Sequence, residues 1–153
     1  MQLTQFTDYS LRVVLYLAAH PDRVVPLQEI SRSYGVSHHH LVKVVRRLTQ
    51  RGAVESVRGR TGGVRLSRKP SEINVGALVR ATEPHLDLVE CFDKETNTCP
   101  IDGVCGVKGV LRQATTAFLG VLDGYSLADF QPRAASLIKV WRRQQVGAGN
   151  GQN

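Results

Sequence analysis

The chain has 153 residues, enough for one ordinary core or for one small domain with an appendage. Its 42% hydrophobic content is that of a globular protein, and no apolar run reaches the ~20 residues of a membrane span, which excludes a helical membrane protein. The formal net charge of +7 is unevenly placed: residues 1–80 carry 13 Lys/Arg against 5 Asp/Glu, residues 81–130 carry 3 against 8, and residues 131–153 carry 4 against none. A basic first half ahead of an acidic segment points to a polyanion partner for that half. A merely solvated basic surface accounts for the charge nearly as well. The start, MQLTQFTDYSLR, lacks the basic–apolar–small pattern of a secretory signal, and clustered cysteines fit a reducing cytoplasm.

Residues 4–19 read as a helix capped by Thr4 or Thr7, with Phe6, Leu11, Val14, Leu15 and Ala18 at helical spacing. Pro26 suits the first turn of a second helix, PLQEISRSY, buried through Leu27, Ile30 and Tyr34 and stopped at Gly35. Ser37 is an N-cap for a third, HHHLVKVVRRLTQR, whose stripe is Leu41, Val44, Val45 and Leu48 and whose stop is Gly52. The short turn Gly35-Val36-Ser37 makes the pair a helix-turn-helix. AVESVRGRTGGVRLS then predicts a β-hairpin with a basic, glycine-rich tip. The order is that of a winged helix.

A fourth helix covers roughly 75–83, capped by Asn74 or Ser71. The polar cysteine segment follows, and a long helix runs from about Val107 to Leu122 with Val107, Val110, Leu111, Ala114, Phe118, Val121 and Leu122 on a broad apolar face. SLADF suits a two-turn helix. The fold class is therefore mainly α with a small β-hairpin. Its parts are a winged helix-turn-helix domain with linking helix (1–83), a cysteine loop (84–106), a long helix with a short one after it (107–130), and a partly disordered tail (131–153) ending in GAGNGQN. The tail holds LIKVWRRQQ, a basic amphipathic stretch with Trp141 whose fate, packing on the dimer or fraying, stays open.

In a helix-turn-helix the second helix enters the major groove with its N-terminal residues on base edges. Here it opens with His38, His39 and His40, and continues outward with Lys43, Arg46 and Arg47. Because the core stripe begins at Leu41, at least two histidines face outward. Imidazoles bond to base edges or phosphates, and Lys43 and Arg47 suit guanine or the backbone. A solvated helix start is the plainer reading. A metal site is the least apt, because adjacent helical residues point about 100° apart. Arg58 and Arg60, on the glycine-rich tip, are shaped for a narrow minor groove. No nucleophile–base pair or phosphate loop is visible, so no catalytic residue is assigned and no enzyme is expected.

CFDKETNTCPIDGVC holds all three cysteines, Cys91, Cys99 and Cys105, spaced C-x7-C-x5-C. A disulfide leaves one thiol over. Structural zinc favours C-x2–4-C pairs, which these spacings do not match. An iron–sulfur cluster takes one ligand at each separate iron and tolerates such spacing. Inert burial fits poorly with flanks as polar as Glu90, Asp93, Lys94, Glu95 and Asp102.

LTQFTDYSLRVVLYLA, YGVS, VRGRTGGVRL and three cysteines before a long helix together resemble the bacterial iron–sulfur winged-helix transcriptional regulators of the NsrR/IscR/RirA group, over about residues 1–130. The resemblance implies a cytoplasmic homodimer packed through the helix near 107–122 and bound to a double-stranded DNA operator. It implies one [4Fe–4S] cluster per subunit, with [2Fe–2S] as the alternative, on Cys91, Cys99 and Cys105. In the NsrR branch the fourth ligand is an aspartate of the first helix given by the partner subunit, and the matching residue is Asp8. The effector there is nitric oxide and the output repression. An iron-responsive regulator of the RirA type is the second reading, and an electron-transfer protein using the same cluster the third. Arg58 matches the wing arginine that relatives place in the minor groove. Where IscR relatives use a glutamate to choose operators this chain has Val42, so operator switching is not implied; His39 and Lys43 flank that position.

Overall fold

The structure, a computed structural model, describes residues 2–149, with side chains through Val146. Helix α1 (Gln5–Ala18) starts at Thr4, whose Oγ1 accepts from the Thr7 amide at 3.3 Å. It is the central element. Thr7, Ser10, Val13, Val14, Tyr16, Leu17 and Ala18 are all buried, while the expected core residues Phe6, Leu11 and Leu15 are half-buried. Helices pack on more than one side of α1, so its core is wider than one apolar stripe. The buried hydroxyls are satisfied: Ser10 donates to the Phe6 carbonyl at 2.8 Å.

Helix α2 (Leu27–Tyr34) ends at Gly35, whose φ of +62° is the left-handed C-cap that favours glycine. Helix α3 (His38–Gln50) buries Leu41, Val44, Val45 and Leu48 as its periodicity requires. Ser37 occupies the N-cap but makes no side-chain cap bond; Ser31 instead braces the turn by donating to the Val36 carbonyl at 2.6 Å. Strands β1 (Val54–Val57) and β2 (Gly63–Leu66) pair antiparallel, Val54 opposite Leu66 and Val57 opposite Gly63. The hairpin root is anchored by Val25, which exchanges two 2.9 Å backbone bonds with Val64 just ahead of α2. A Cβ at Gly63 would collide with the Val25 carbonyl, so this close approach requires glycine.

Helix α4 (Val75–Thr82) is capped by Asn74, whose Oδ1 accepts from the Ala77 amide at 2.9 Å. Helix α5 spans Gly106–Asp123, and a 3-10 stretch covers Leu127–Arg133 where a short helix was expected. The core lies where α1, α2, α3 and the hairpin root meet, with Ile73, Leu78, Leu127 and Trp141 closing it.

The C-terminal stretch departs from expectation. Ala134–Gly149 forms helix α6, against a predicted partly disordered tail; residues 150–153 of that tail lie outside the described residues. The cause is one aromatic contact set, which composition cannot show. Trp141 is 4% exposed, with its ring 4.5 Å from Tyr16, 5.6 Å from Tyr34 and 6.1 Å from His20. Gln145 Nε2 donates to Ser33 Oγ at 2.6 Å, and Tyr16 donates its hydroxyl to Glu29 at 2.7 Å. LIKVWRRQQ therefore packs on its own chain, over α1 and α2. Burial opposes ionisation of Glu29, but bonds from Arg23 and Tyr16 outweigh it and hold the carboxyl below its ordinary value.

Burying an indole this fully predicts that Trp141→Ala costs about 3 kcal/mol in chemical denaturation. Trp141 is the chain's one tryptophan, so its emission reports the docking directly. Its unfolding midpoint should coincide with loss of the helical signal; an earlier midpoint would mean that α6 frays separately.

Candidate nucleic-acid interface and cysteine segment

His38, His39, Lys43 and Arg46 are exposed on α3, as are Arg58 and Arg60 at the hairpin tip. Among the described residues no ion pair engages Lys43, Arg46, Arg58 or Arg60. Their neighbours are partnered: Arg65 pairs with Glu55 across the hairpin, and Arg23 with Glu29. Val42, 46% exposed, lies among the polar residues of the same helix. Gly59 turns the tip with a φ of +119°. The unpaired cations of α3 and of the wing tip are thus available to a polyanion.

Arg47 is placed differently. It is half-buried, and its Nε donates to the carbonyl of Ala81, in the last turn of α4, at 3.2 Å. That turn holds two further partners. Thr7 of α1 donates its hydroxyl to Thr82 Oγ1 at 3.0 Å in a buried site. Glu83 Oε1 accepts from the Thr4 amide at 2.8 Å and the Thr4 hydroxyl at 3.0 Å, satisfying a free donor at the start of α1. Three consecutive residues therefore hold α3, the body of α1 and the N-terminus of α1. The sequence singled out none of the three, because their partners lie 34 to 79 positions away.

The cysteines form no disulfide; Cys91 is buried, Cys99 and Cys105 partly so. Their segment is a chain of local turns. Asp93 accepts from the Glu95 amide and the Thr96 hydroxyl, both at 2.9 Å, which holds its carboxyl below the ordinary value. Glu90 accepts from Thr98, and Asn97 from the Cys99 amide at 3.0 Å. Asp102 pairs with Lys108, and Arg112 stands over the Phe92 ring at 5.5 Å, so α5 carries the segment. Cys105 is the N-cap of α5. Among the described residues no three His, Cys, Asp or Glu side chains converge tightly enough for a single metal ion. Asp8 does not join the cysteines in this chain. It lies in the first turn of α1, paired one turn on with Arg12 at 2.7 Å. Arg12 is itself 5.6 Å from the Tyr9 ring and 5.7 Å from Tyr34.

Helix α5 buries no residue in the single chain. It meets α4 through a bidentate pair, Arg80 with Asp123 at 2.6 and 2.7 Å, and Gly76 is the close approach, since a Cβ there would strike Asp123. On its other side Val107, Val110, Ala114, Ala117 and Val121 are all exposed. They alternate in steps of three and four, the seam of a helix that packs on another helix. No described helix is long and apolar enough to cross a membrane.

Residues 3–133 match the model of the Rrf2 family, described as iron-dependent transcriptional regulators. The chain is 51% identical over 130 residues to the HTH-type transcriptional regulator NsrR of Halalkalibacterium halodurans, covering 84% of this chain and 89% of that one. It is 45% identical over 146 residues to the NsrR of Bacillus subtilis, covering 95% and 100%. Among solved structures it is similar to T. potens IscR, with a TM-score of 0.71 at 27% identity over 88% of each chain. The two NsrR relatives are named as regulators of transcription and not as enzymes. With the helix-turn-helix, the hairpin wing and a family match over most of its length, the chain belongs to the Rrf2 family of transcriptional regulators.

Proposed function

We propose that this chain is a cytoplasmic bacterial repressor that binds a palindromic operator as a homodimer and is switched by nitric oxide through an iron–sulfur cluster. The observation that carries the reading is a pairing of two features. An unpaired basic face on α3 and the wing shares the chain with three cysteines, none in a disulfide, in one irregular segment. The identity of 45–51% to proteins named NsrR supports it. His38, His39 and Lys43 would meet base edges or phosphates in the major groove, and Arg58 and Arg60 the minor groove.

The donor set fits a cluster better than a single ion. A cluster spreads its ligands over separate irons, so it does not need the convergence that a lone ion demands. Cys91, Cys99 and Cys105 would each give a thiolate. Asp8 of the partner subunit would give the fourth donor, and the cluster would be [4Fe–4S], with [2Fe–2S] as the alternative. When bound, the cluster supplies iron that nitric oxide can ligate. For Asp8 to serve, its carboxylate must leave Arg12. A surface pair one helical turn apart is worth only about 0.3–0.5 kcal/mol, so that exchange is easy. The Thr4–Glu83 bonds then tie the segment carrying Asp8 to the end of α4 in its own chain. The exposed seam on α5 supports the dimer. A second reading, an iron-responsive regulator of the RirA type, is favoured by the family's description as iron-dependent.

Anaerobic purification and native mass spectrometry should give one cluster mass per subunit. Cys99→Ala should lose it and Asp8→Ala should retain it poorly. Nitric oxide should abolish binding to a duplex that the protein selects from a random pool. Unchanged affinity under nitric oxide, with loss on iron depletion, would transfer the chain to the second reading.

Sedimentation of Val110→Asp should give a monomer where the wild type is a dimer, because the charge would be buried in the seam. Operator affinity should fall by at least about tenfold as the two half-sites uncouple.

A further inference from the structure

Of the cations on and beside α3, one is held back from the DNA face. Lys43 and Arg46 are exposed, and so are Arg58 and Arg60 on the wing, whereas Arg47 is half-buried against α4. Its Nε donates to the carbonyl of Ala81 at 3.2 Å. On a helical wheel Lys43 and Arg46 oppose the buried stripe of Leu41, Val44, Val45 and Leu48, while Arg47 lies on its flank, on the side of Val44. The carbonyl that it reaches belongs to the end of α4, where Ala81 has no helical successor to donate to it. The bond therefore satisfies a free acceptor of α4 with a charged donor of α3.

We propose that Arg47 is a positioning residue for operator recognition: it fixes the angle of α3 by bonding the last turn of α4, and its charge does not neutralise a DNA phosphate. The inference rests on the DNA-binding reading above. Its neighbours in that turn sharpen it. Thr82 holds Thr7 and Glu83 holds Thr4, so α3 is referenced through Arg47 and Ala81 to the same turn whose next two residues fix α1. The chain then runs directly on, through 84–90, into Cys91. Any change in the order of the cysteine segment that shifts this turn would reach α3 at Ala81.

The test separates the donor from the charge. Glutamine places its Nε2 where arginine places Nε, so Arg47→Gln keeps the donor and removes the charge, whereas Arg47→Ala removes both. Binding of each full-length protein to a duplex selected by the wild type from a random pool would be measured across salt concentrations. Arg47→Gln should bind within twofold of wild type with the same dependence of log K on log salt. Arg47→Ala should bind about three- to tenfold more weakly, again at the wild-type slope, the size of one lost hydrogen bond. Lys43→Ala supplies the contrast, with a slope shallower by about 0.9 per subunit. A slope reduced by about 0.9 per subunit in Arg47→Gln would overturn the proposal, as would Arg47→Gln binding as weakly as Arg47→Ala, or Arg47→Ala binding like wild type. Should Arg47→Ala fail to fold, the glutamine variant decides alone. Failure of the wild type to select any duplex would instead remove the DNA-binding reading.

Discussion

Thr7 and Thr82 form a buried hydroxyl pair on which the N-terminal half depends. Thr7 donates to Thr82 at 3.0 Å, and the Thr82 hydroxyl in turn donates to the Leu78 carbonyl at 2.9 Å. Each hydroxyl has its partner, and a buried hydroxyl stripped of one costs roughly 1–3 kcal/mol. Helix α1 therefore cannot slide along α4 without breaking the relay. Because α2, α3 and the wing root pack around α1, its register against α4 becomes the register of the whole reading head. Asn74 and Arg80 carry the same frame outward to α5, through the Asp123 carbonyl at 2.7 Å and the Asp123 carboxylate. The Arg80 bonds hold that carboxyl below its ordinary value.

The charges divide by what they touch. Arg12, Arg23, Arg65 and Arg80 each have a carboxylate partner in the chain. Exposed pairs of this kind add little stability. Their effect is to cancel the local field at those four sites, which leaves Lys43 and Arg46 of α3 and Arg58 and Arg60 of the wing tip among the uncancelled cations of the basic half. Their potential would steer a polyanion at long range and orient it before contact. The acidic 81–130 segment repels the same partner, so the charge asymmetry read from composition becomes an orientation rule for the folded chain.

Much of this was legible locally. The Thr4 and Asn74 caps, the Gly35 stop, the α3 stripe and the hairpin each follow from residues within one turn of each other, and the structure has them all. What escaped was decided at long range. The tail looked like a fraying end because its composition is rich in Gly and Gln; a single indole fitting between Tyr16 and Tyr34 makes it a helix. Arg47 read as one more outward cation because charge says nothing about a flank, and its partner is a backbone carbonyl without any signature in the sequence. Ser37 has the right residue type for a cap, yet its side chain makes no cap bond, as Ser31 already braces the turn. The apolar face of α5 was plain, but its division into a half turned to α4 and an exposed seam needed the fold.

The cysteine segment obeys different physics from the domain it joins. Its bonds are short-range and solvent-accessible, from Asp93 to Thr96 and from Glu90 to Thr98, and it has a single buried thiol, Cys91. Its ties to α5 are an ion pair at Asp102 and a cation over Phe92, contacts worth about a kcal/mol each. Such a segment rearranges at low cost, while the α1–α4 relay and the core beside it stay closed. A ligand held by the three cysteines would therefore reshape the segment long before it unfolded the domain. The soft segment and the rigid head meet at the last turn of α4. Along the backbone, chemistry at Cys91, Cys99 or Cys105 would reach the DNA face through the few residues between Glu83 and Cys91.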